Sequence, residues 1–295
     1  PTPFFADRGC HVRIYEEARV LQSLGNKVRI YTYHNGRDTP GIEIKRIMNI
    51  PWYKKLEAGP SWHMFYLDTL LLLKILRDGI CEKPDIIHAH LHEGALLGSI
   101  YKKFKRIPLI FDCQGSLTEE LVDHNFLKKG SLFFKFIRRV ERIICNFADA
   151  IVVSSTNSAN FFKEEFEFRE SKIFLVSDSV DGGKFKASNC INLKKELKLP
   201  LDKKIVVYLG LLNKYQGIDY LLEVIHYIVK VKKNKKVHFF IMGYPAVEKY
   251  KKIALSKGIS DNITFTGRID YEKVSQYLSL GDIAVSLKIS KTESN

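Results

Sequence analysis

The chain has 295 residues, 45% of them hydrophobic and 12% aromatic, which excludes a disordered protein and leaves room for two domains of ordinary size. Forty-seven Lys+Arg against 33 Asp+Glu give a formal net charge of +14, a surface that favours anionic partners. Five widely spaced cysteines without a C-x-x-C pair argue against a zinc or thioredoxin-type site and read as reduced cytosolic thiols.

The start, PTPFFADRGC, carries no signal-peptide pattern. Ile14, Ala18, Leu21 and Leu24 then fall on one helical face, Gly25 supplies a left-handed cap, and 27–33 reads as a strand. A helix that opens at Gly9 is expected to follow a strand, so the chain reads as starting just after its own first strand. Next come a helix at 63–77, a strand at 85–90, a helix at 93–105 and a strand at 108–114. The apolar run 64–76 is too short to span a bilayer and carries Asp68 and Lys74. A long basic, aromatic helix over 130–147 follows, then a strand at 150–155, a helix at 158–166 and a strand at 172–180.

After a lysine-rich segment the pattern restarts: strand 204–210, helix 217–231, strand 236–243, helix 246–257, strand 263–267, helix 271–280 and strand 282–287. The run KVKKNKK at 230–236 reads as a solvated turn. Alternating strands and helices imply an α/β protein with doubly wound parallel sheets. The expected division is a first domain at 1–181, a linker at 182–203 and a second domain at 204–295.

In such sheets ligands bind beyond the carboxyl ends of the strands. Those ends here are rich in glycine, histidine and hydroxyl residues. Gly9, at the start of a helix, offers backbone amides to an anion, although no G-x-G-x-x-G is present. His88, His90 and His92 alternate and would share one strand face. With ~7 Å between alternate residues they converge poorly on a metal and read as a polar site wall. Asp112 and Gln114 end a strand, a position compatible with a sugar hydroxyl contact and equally with a plain turn. The strongest local signal is YLGLLNKYQGIDYLL at 208–222. A strand runs into Gly210, the loop carries Lys214 and Gln216, and Gly217 opens an amphipathic helix. A lysine and a helix amino terminus together can neutralise a diphosphate, and no P-loop sequence is present.

At these residues the chain resembles the retaining glycosyltransferases of family 4, and the resemblance covers nearly its whole length. RGCHVRIYEEARVLQSLGNKVRIYT is similar to the family's glycine loop, helix and strand entry, with Asn26 where histidine is usual. PDIIHAHLHEGALLG resembles its Asp-x-x-His-x-His segment, ADAIVVSSTNSANFF its Ala-Asp strand and helix, and SDSVDGGKF its hinge segment, with Ser179 in place of glycine. VVYLGLLNKYQGIDYLL resembles the donor loop, with Leu211 where a phosphate-binding arginine is usual and Gln216 where lysine is usual. FFIMGYP and ITFTGRIDYEKVSQYLSLGDIAV resemble the strand, base-binding loop and helix that follow.

The resemblance implies a GT-B fold of two facing Rossmann-like domains, the second incomplete. It implies transfer of a sugar from a nucleoside diphosphate sugar to a hydroxyl acceptor with retained configuration, without a metal or other cofactor. Glu293 matches the first of two family glutamates, and the second would lie past Asn295. By itself the chain is therefore expected to be inactive. The implied donor-binding set is Gly9, Gly210, Lys214, Gly217, Gly243, Arg268 and Lys288, with Glu293 contacting the donor sugar and His90 and Gln114 on the acceptor side. Domain closure would bring donor and acceptor together.

The helix at 130–147, with basic residues from Lys128 to Arg142 among five phenylalanines at 125–147, is compatible with an anionic membrane face and equally with an ordinary surface helix. The first reading implies a saccharide or lipid-linked acceptor in cell-surface polysaccharide or glycolipid synthesis, at the inner face of a membrane in the cytoplasm. The alternative is a non-catalytic sugar-nucleotide or carbohydrate binder of the same fold. A nucleic-acid binder comes last, since no binding motif is present.

Overall fold

The computed structural model describes residues 1–56, 61–123, 126–186, 188 and 190–287, the side chains of Asp123 and Tyr215 excepted. The chain forms two compact units, Pro1–Ser179 and Val180–Asn295.

In the first unit, helix α1 (Gly9–Ser23) buries His11, Ile14 and Ala18. Leu24, expected on that face, is exposed because the helix ends one residue before it. Gly25 takes φ +86°, its amide reaches Gln22 O at 2.9 Å and the Asn26 amide reaches Leu21 O at 3.1 Å, which closes the helix end as the sequence suggests. Strand β1 (Arg29–Thr32) pairs in parallel with β2 (Glu43–Arg46). No regular strand precedes α1 among the described residues. Instead the buried segment 2–6 runs beside the end of β1, where Thr2 O accepts the Tyr33 amide at 3.3 Å.

Helix α2 (Met64–Cys81) packs on β1 and on α3 (Leu91–Lys105), with Leu67 and Leu71 in a core that includes Tyr33 and Leu97. A second, four-stranded parallel sheet has the order β3 (Ile87–His90), β4 (Leu109–Cys113), β5 (Ala150–Val153), β6 (Ile173–Leu175). Helices α4 (Leu117–Asp123) and α5 (Leu132–Asn146) connect β4 to β5, and α6 (Thr156–Glu164) leads on from β5 towards β6. The strands are short apolar runs because both sheet faces are covered. Leu109, Phe111, Ile151 and Val153 are wholly buried against Ala95, Ile144 and Phe162. Each such side chain contributes about 1.5–3 kcal/mol. Strand β6 is shorter than its sequence suggests: its register with β5 ends at Leu175, the Val176 amide makes a last bond to Val153 O at 2.9 Å, and Asp178 beyond it meets Arg13.

The second unit begins with the short helix α7 (Ile191–Glu196). Cys190, Leu193 and Leu199, from the segment expected as a linker, belong to a core with Ile205, Val207, Phe240, Met242 and Leu280. The sheet has the order β10 (Ile283–Val285), β7 (Lys204–Leu209), β8 (Val237–Met242), β9 (Ile263–Gly267), all parallel. Helices α8 (Ile218–His226, continued by a π turn over Tyr227–Val231), α9 (Val247–Ser256) and α10 (Tyr271–Leu278) connect them. Strand β7 is buried on both faces along Ile205–Val206–Val207–Tyr208, as a central parallel strand must be. The order runs outward from β7 to β9 and then returns to the other side of β7. The topological switch point therefore lies at the carboxyl ends of β7 and β10.

Candidate functional site

In the second unit the carboxyl rim of the sheet is built from backbone. Gly210 donates its amide to Met242 O (3.0 Å), Leu212 to Tyr244 O (2.9 Å) and Gly243 to Gly267 O (2.9 Å). A side chain at Gly243 would place its first carbon 2.0 Å from Gly210 O, so glycine there is a steric requirement. Gly217 takes φ +76° and opens α8, whose amino end receives no side-chain cap. Asn213 Oδ1 accepts the Gln216 amide at 3.2 Å, which holds the loop between them in a single turn. Lys214 stands exposed on that turn, with no carboxylate partner among the described residues. The loop thus offers free amides, a helix amino end and a lysine at the switch point, a set suited to a diphosphate. Arg268 stacks over the Tyr244 ring at 5.6 Å, further along the same rim. Lys288 and Glu293 lie outside the described residues.

In the first unit the corresponding rim is built from charged side chains. Arg13 Nε on α1 donates to Asp112 Oδ2 of β4 at 2.7 Å and lies 2.9 Å from Glu17 Oε1, one turn on. Its Nη1 reaches Asp178 Oδ1 at 2.5 Å and Val176 O at 3.3 Å. His90 Nδ1 lies 3.2 Å from Asp112 Oδ2, and Gln114 Nε2 lies 3.4 Å from the same nitrogen. The His88 and His90 rings sit 4.5 Å apart, closer than the spacing of the strand suggests, because both turn towards Glu17. His92 does not join them. At Leu91 (φ +63°) the chain leaves the strand, and His92 faces the core 3.5 Å from Glu141.

These contacts drive the ionisation of the cluster apart. Burial and the Asp112 charge raise Glu17 to about 7. Burial opposes ionisation of Asp112 as well, yet hydrogen bonds from His90 and Arg13 hold it at about 2. Burial, reinforced by His90, lowers His88 to about 4, so that it is neutral at pH 7. Donor atoms of Glu17, His88, His90 and Asp112 lie within 4.8 Å of one another. Arg13 already supplies the positive charge among the two carboxylates, and a cation there would have to displace it. Glu17 Oε2, His88 Nε2 and Asp112 Oδ1 are buried without a hydrogen-bond partner among the described residues. Gly9 opens α1 above this cluster, with an amino end that no side chain caps and open space where a side chain would be.

Sequence reasoning placed His90, Gln114, Gly9, Gly210, Lys214, Gly217, Gly243 and Arg268 at strand or helix ends, and there the structure finds them. It missed Arg13 and Glu17. Their signal was an Arg-Glu pair four residues apart in the helix that follows the glycine loop, a pattern that also describes an ordinary surface helix.

Two parallel-sheet units, each with a ligand-type rim at its strand ends, define a GT-B glycosyltransferase fold, and solved structures agree. Sucrose-phosphate synthase from Thermosynechococcus elongatus superposes with a TM-score of 0.74 at 15% identity, covering 96% of this chain and 72% of its own. Anabaena HepE in complex with UDP and glucose gives 0.72 at 14% identity with the same coverages. WaaG, a glycosyltransferase involved in lipopolysaccharide biosynthesis, gives 0.68 at 11% identity, covering 98% and 74%. The sequence profile of Glycosyltransferase Family 4 matches residues 8–182, and that of Glycosyl transferases group 1 matches residues 191–294; the chain belongs to this glycosyltransferase family. An uncharacterized glycosyltransferase of Methanocaldococcus jannaschii is 26% identical over 264 residues, which is 88% of this chain and 60% of that protein. A D-inositol 3-phosphate glycosyltransferase of Corynebacterium diphtheriae is 23% identical over 299 residues, or 94% and 68%. The chain thus spans about 60–70% of the length of these two relatives.

Proposed function

We propose that the protein moves a sugar from a nucleoside diphosphate sugar to a hydroxyl acceptor with retention of configuration. The observation that carries this reading is the glycine-built loop at the switch point of the second unit, with unpaired Lys214 and the uncapped amino end of α8 facing it. The main barrier is departure of a diphosphate from an oxocarbenium-like centre. Lys214 and the α8 amides stabilise the charge that grows on that leaving group, and this electrostatic term dominates. Lys288 and Glu293 complete the donor site in this proposal, as cation and as donor-sugar contact, and Gly210, Gly217, Gly243 and Arg268 shape it. The positive charge then comes from the protein, and the reaction needs no metal.

The acceptor hydroxyl falls to the first unit, where His90 and Gln114 offer hydrogen bonds. Gly9 offers its helix amides to the donor phosphate. A saccharide or lipid-linked acceptor, used at the cytoplasmic face of a membrane for cell-surface polysaccharide or glycolipid synthesis, fits the basic surface of the chain. No helix among the described residues is long and apolar enough to cross a membrane, so any membrane contact there would be peripheral.

Thermal-shift titration with UDP, GDP and ADP sugars tests the donor reading. Stabilisation by one base alone, lost in Lys214→Ala, supports it, and no shift with any of them overturns it. A second reading, a non-catalytic sugar-nucleotide binder of the same fold, is favoured by one observation, Leu211 in the position of the usual arginine. Donor turnover, measured with a protein that carries both family glutamates, separates the two.

A further inference from the structure

Glu17, His88 and His90 close on one another around a gap. The two histidines alternate on β3, and the strand alone would hold them about 7 Å apart. Instead the rings turn inwards until their centroids are 4.5 Å apart, with Glu17 laid across them by α1. Glu17 Oε2 lies 3.9 Å from His88 Nε2 and 3.7 Å from His90 Nε2. Both distances are too long for a hydrogen bond. They suit two atoms bound to one small ion. With bonds of about 2.1 Å, ligands in a tetrahedral site stand about 3.4 Å apart, and at wider angles up to about 4.2 Å. One donor atom from each of the three residues, and one from Asp112, lies within 4.8 Å of all the others, so side-chain rotation suffices to close the set.

The groups behind these residues hold them in that attitude. His90 Nδ1 lies 3.2 Å from the buried Asp112 carboxylate, which favours a proton on Nδ1 and leaves the Nε2 lone pair to the gap. The Gln114 amide, at 3.4 Å from the same nitrogen, is the longer contact. A carboxylate behind an imidazole is the usual device for orienting a metal-binding histidine. Arg13 holds Glu17 by Oε1 at 2.9 Å and Asp112 by Oδ2 at 2.7 Å. A cation seated between the two carboxylates would displace Arg13, whereas one seated at Glu17 Oε2 leaves it in place. The charge around the site favours a cation as well. Once Glu17 is ionised, Arg13 faces three carboxylates, those of Glu17, Asp112 and Asp178.

We propose that Glu17, His88 and His90 form a binding site for a divalent transition metal of the zinc type, with Asp112 orienting His90. Two imidazoles and one carboxylate suit zinc and its neighbours in the first row, while magnesium and calcium take oxygen ligands. Water fills the remaining positions. His90 is also assigned above to the acceptor hydroxyl, so the ion and that hydroxyl exclude each other. The metal is therefore a ligand that closes the acceptor rim and has no part in sugar transfer. The binding site stands on the first unit alone and its test uses no nucleotide, so it and the donor reading can fail separately.

The untagged full chain, stripped with EDTA, is titrated with Co²⁺ and followed by visible absorption. One bound equivalent is expected, with the d–d bands of nitrogen and oxygen ligation, displaced by Zn²⁺ and indifferent to excess Mg²⁺. Asp112→Asn weakens Co²⁺ binding about tenfold or more through His90, and His88→Asn and Glu17→Gln weaken it at least as much. His63→Asn, at an exposed histidine before α2, leaves it unchanged. Circular dichroism checks that each variant is folded. Glu17→Gln keeps the shape of its side chain and decides the case where the aspartate variant does not fold. Absence of binding, indifference to both His88→Asn and Glu17→Gln, or an equal loss in the His63 variant overturns the proposal. So do intense near-ultraviolet bands of thiolate ligation, which would place the ion on cysteine.

Discussion

The two units solve the same problem with different materials. At the rim of the second, backbone atoms do the shaping: a glycine at or just past the end of each of three neighbouring strands, a capped turn and one exposed lysine. At the rim of the first, side chains hold one another: Arg13, Glu17, His88 and His90, all half-buried, gather around the buried Asp112 in one polar cluster. A backbone site tolerates loss of a charge but not added volume. A charged cluster tolerates neither the loss of a member nor a change of protonation.

The largest expected effect lies in the cluster. Asp112→Ala leaves Arg13 and His90 without their shared buried partner and should cost about 3–5 kcal/mol in denaturant unfolding. A loss below about 1 kcal/mol would mean that the cluster is looser than its distances indicate. Next comes Gly243→Ala, which forces a carbon against Gly210 O and should lower stability by about 1–3 kcal/mol. Gly9→Ala, with open space around it, is the matched control and should change stability little. Lys214→Ala should weaken nucleoside diphosphate binding about tenfold, or about 1.4 kcal/mol, at an unchanged melting temperature, as calorimetry can show. Equal loss of affinity and of stability would place Lys214 in the fold instead.

The smallest effect is read by pH. Folded Glu17, at about 7 against an ordinary 4.5, binds its proton more tightly than in the unfolded chain. Stability therefore falls as pH rises from about 4.5 through 7, and Glu17→Gln removes that slope. Asp112 and Glu141 act with the opposite sign. Both are held at about 2, Glu141 against its own burial by His92 and Thr118. Their contribution is complete above the ordinary carboxylate range and is lost as pH falls towards 2. Melting temperatures of wild type and Glu17→Gln across these two windows check both signs.

The alternation of strands and helices was legible because parallel strands buried on both faces are compact apolar runs such as Ile205–Tyr208 and Leu109–Phe111. Strand β2 was not, since Glu43, Lys45 and Arg46 give it a polar surface and its pairing depends on ion pairs such as Arg29–Glu43 at 2.9 Å. Helix α4 was not either, being too short to show a period. Of the candidate site, the rim of the second unit was readable because turns and close backbone contacts demand glycine. The cluster in the first was only half readable. Histidines at a strand end attract notice, whereas Arg13 and Glu17 acquire meaning only when α1 is laid across β3 and β4.

Glu141 carries one more consequence. It comes from α5, yet its carboxylate accepts the amides of Leu117 and Thr118 and the Thr118 hydroxyl at the start of α4. A seven-residue helix is marginal alone. The order of assembly is thus reversed along the chain: the later helix must dock before the earlier one can persist. Hydrogen exchange should show the amides of α4 opening whenever α5 lifts, so that the two helices breathe as one piece.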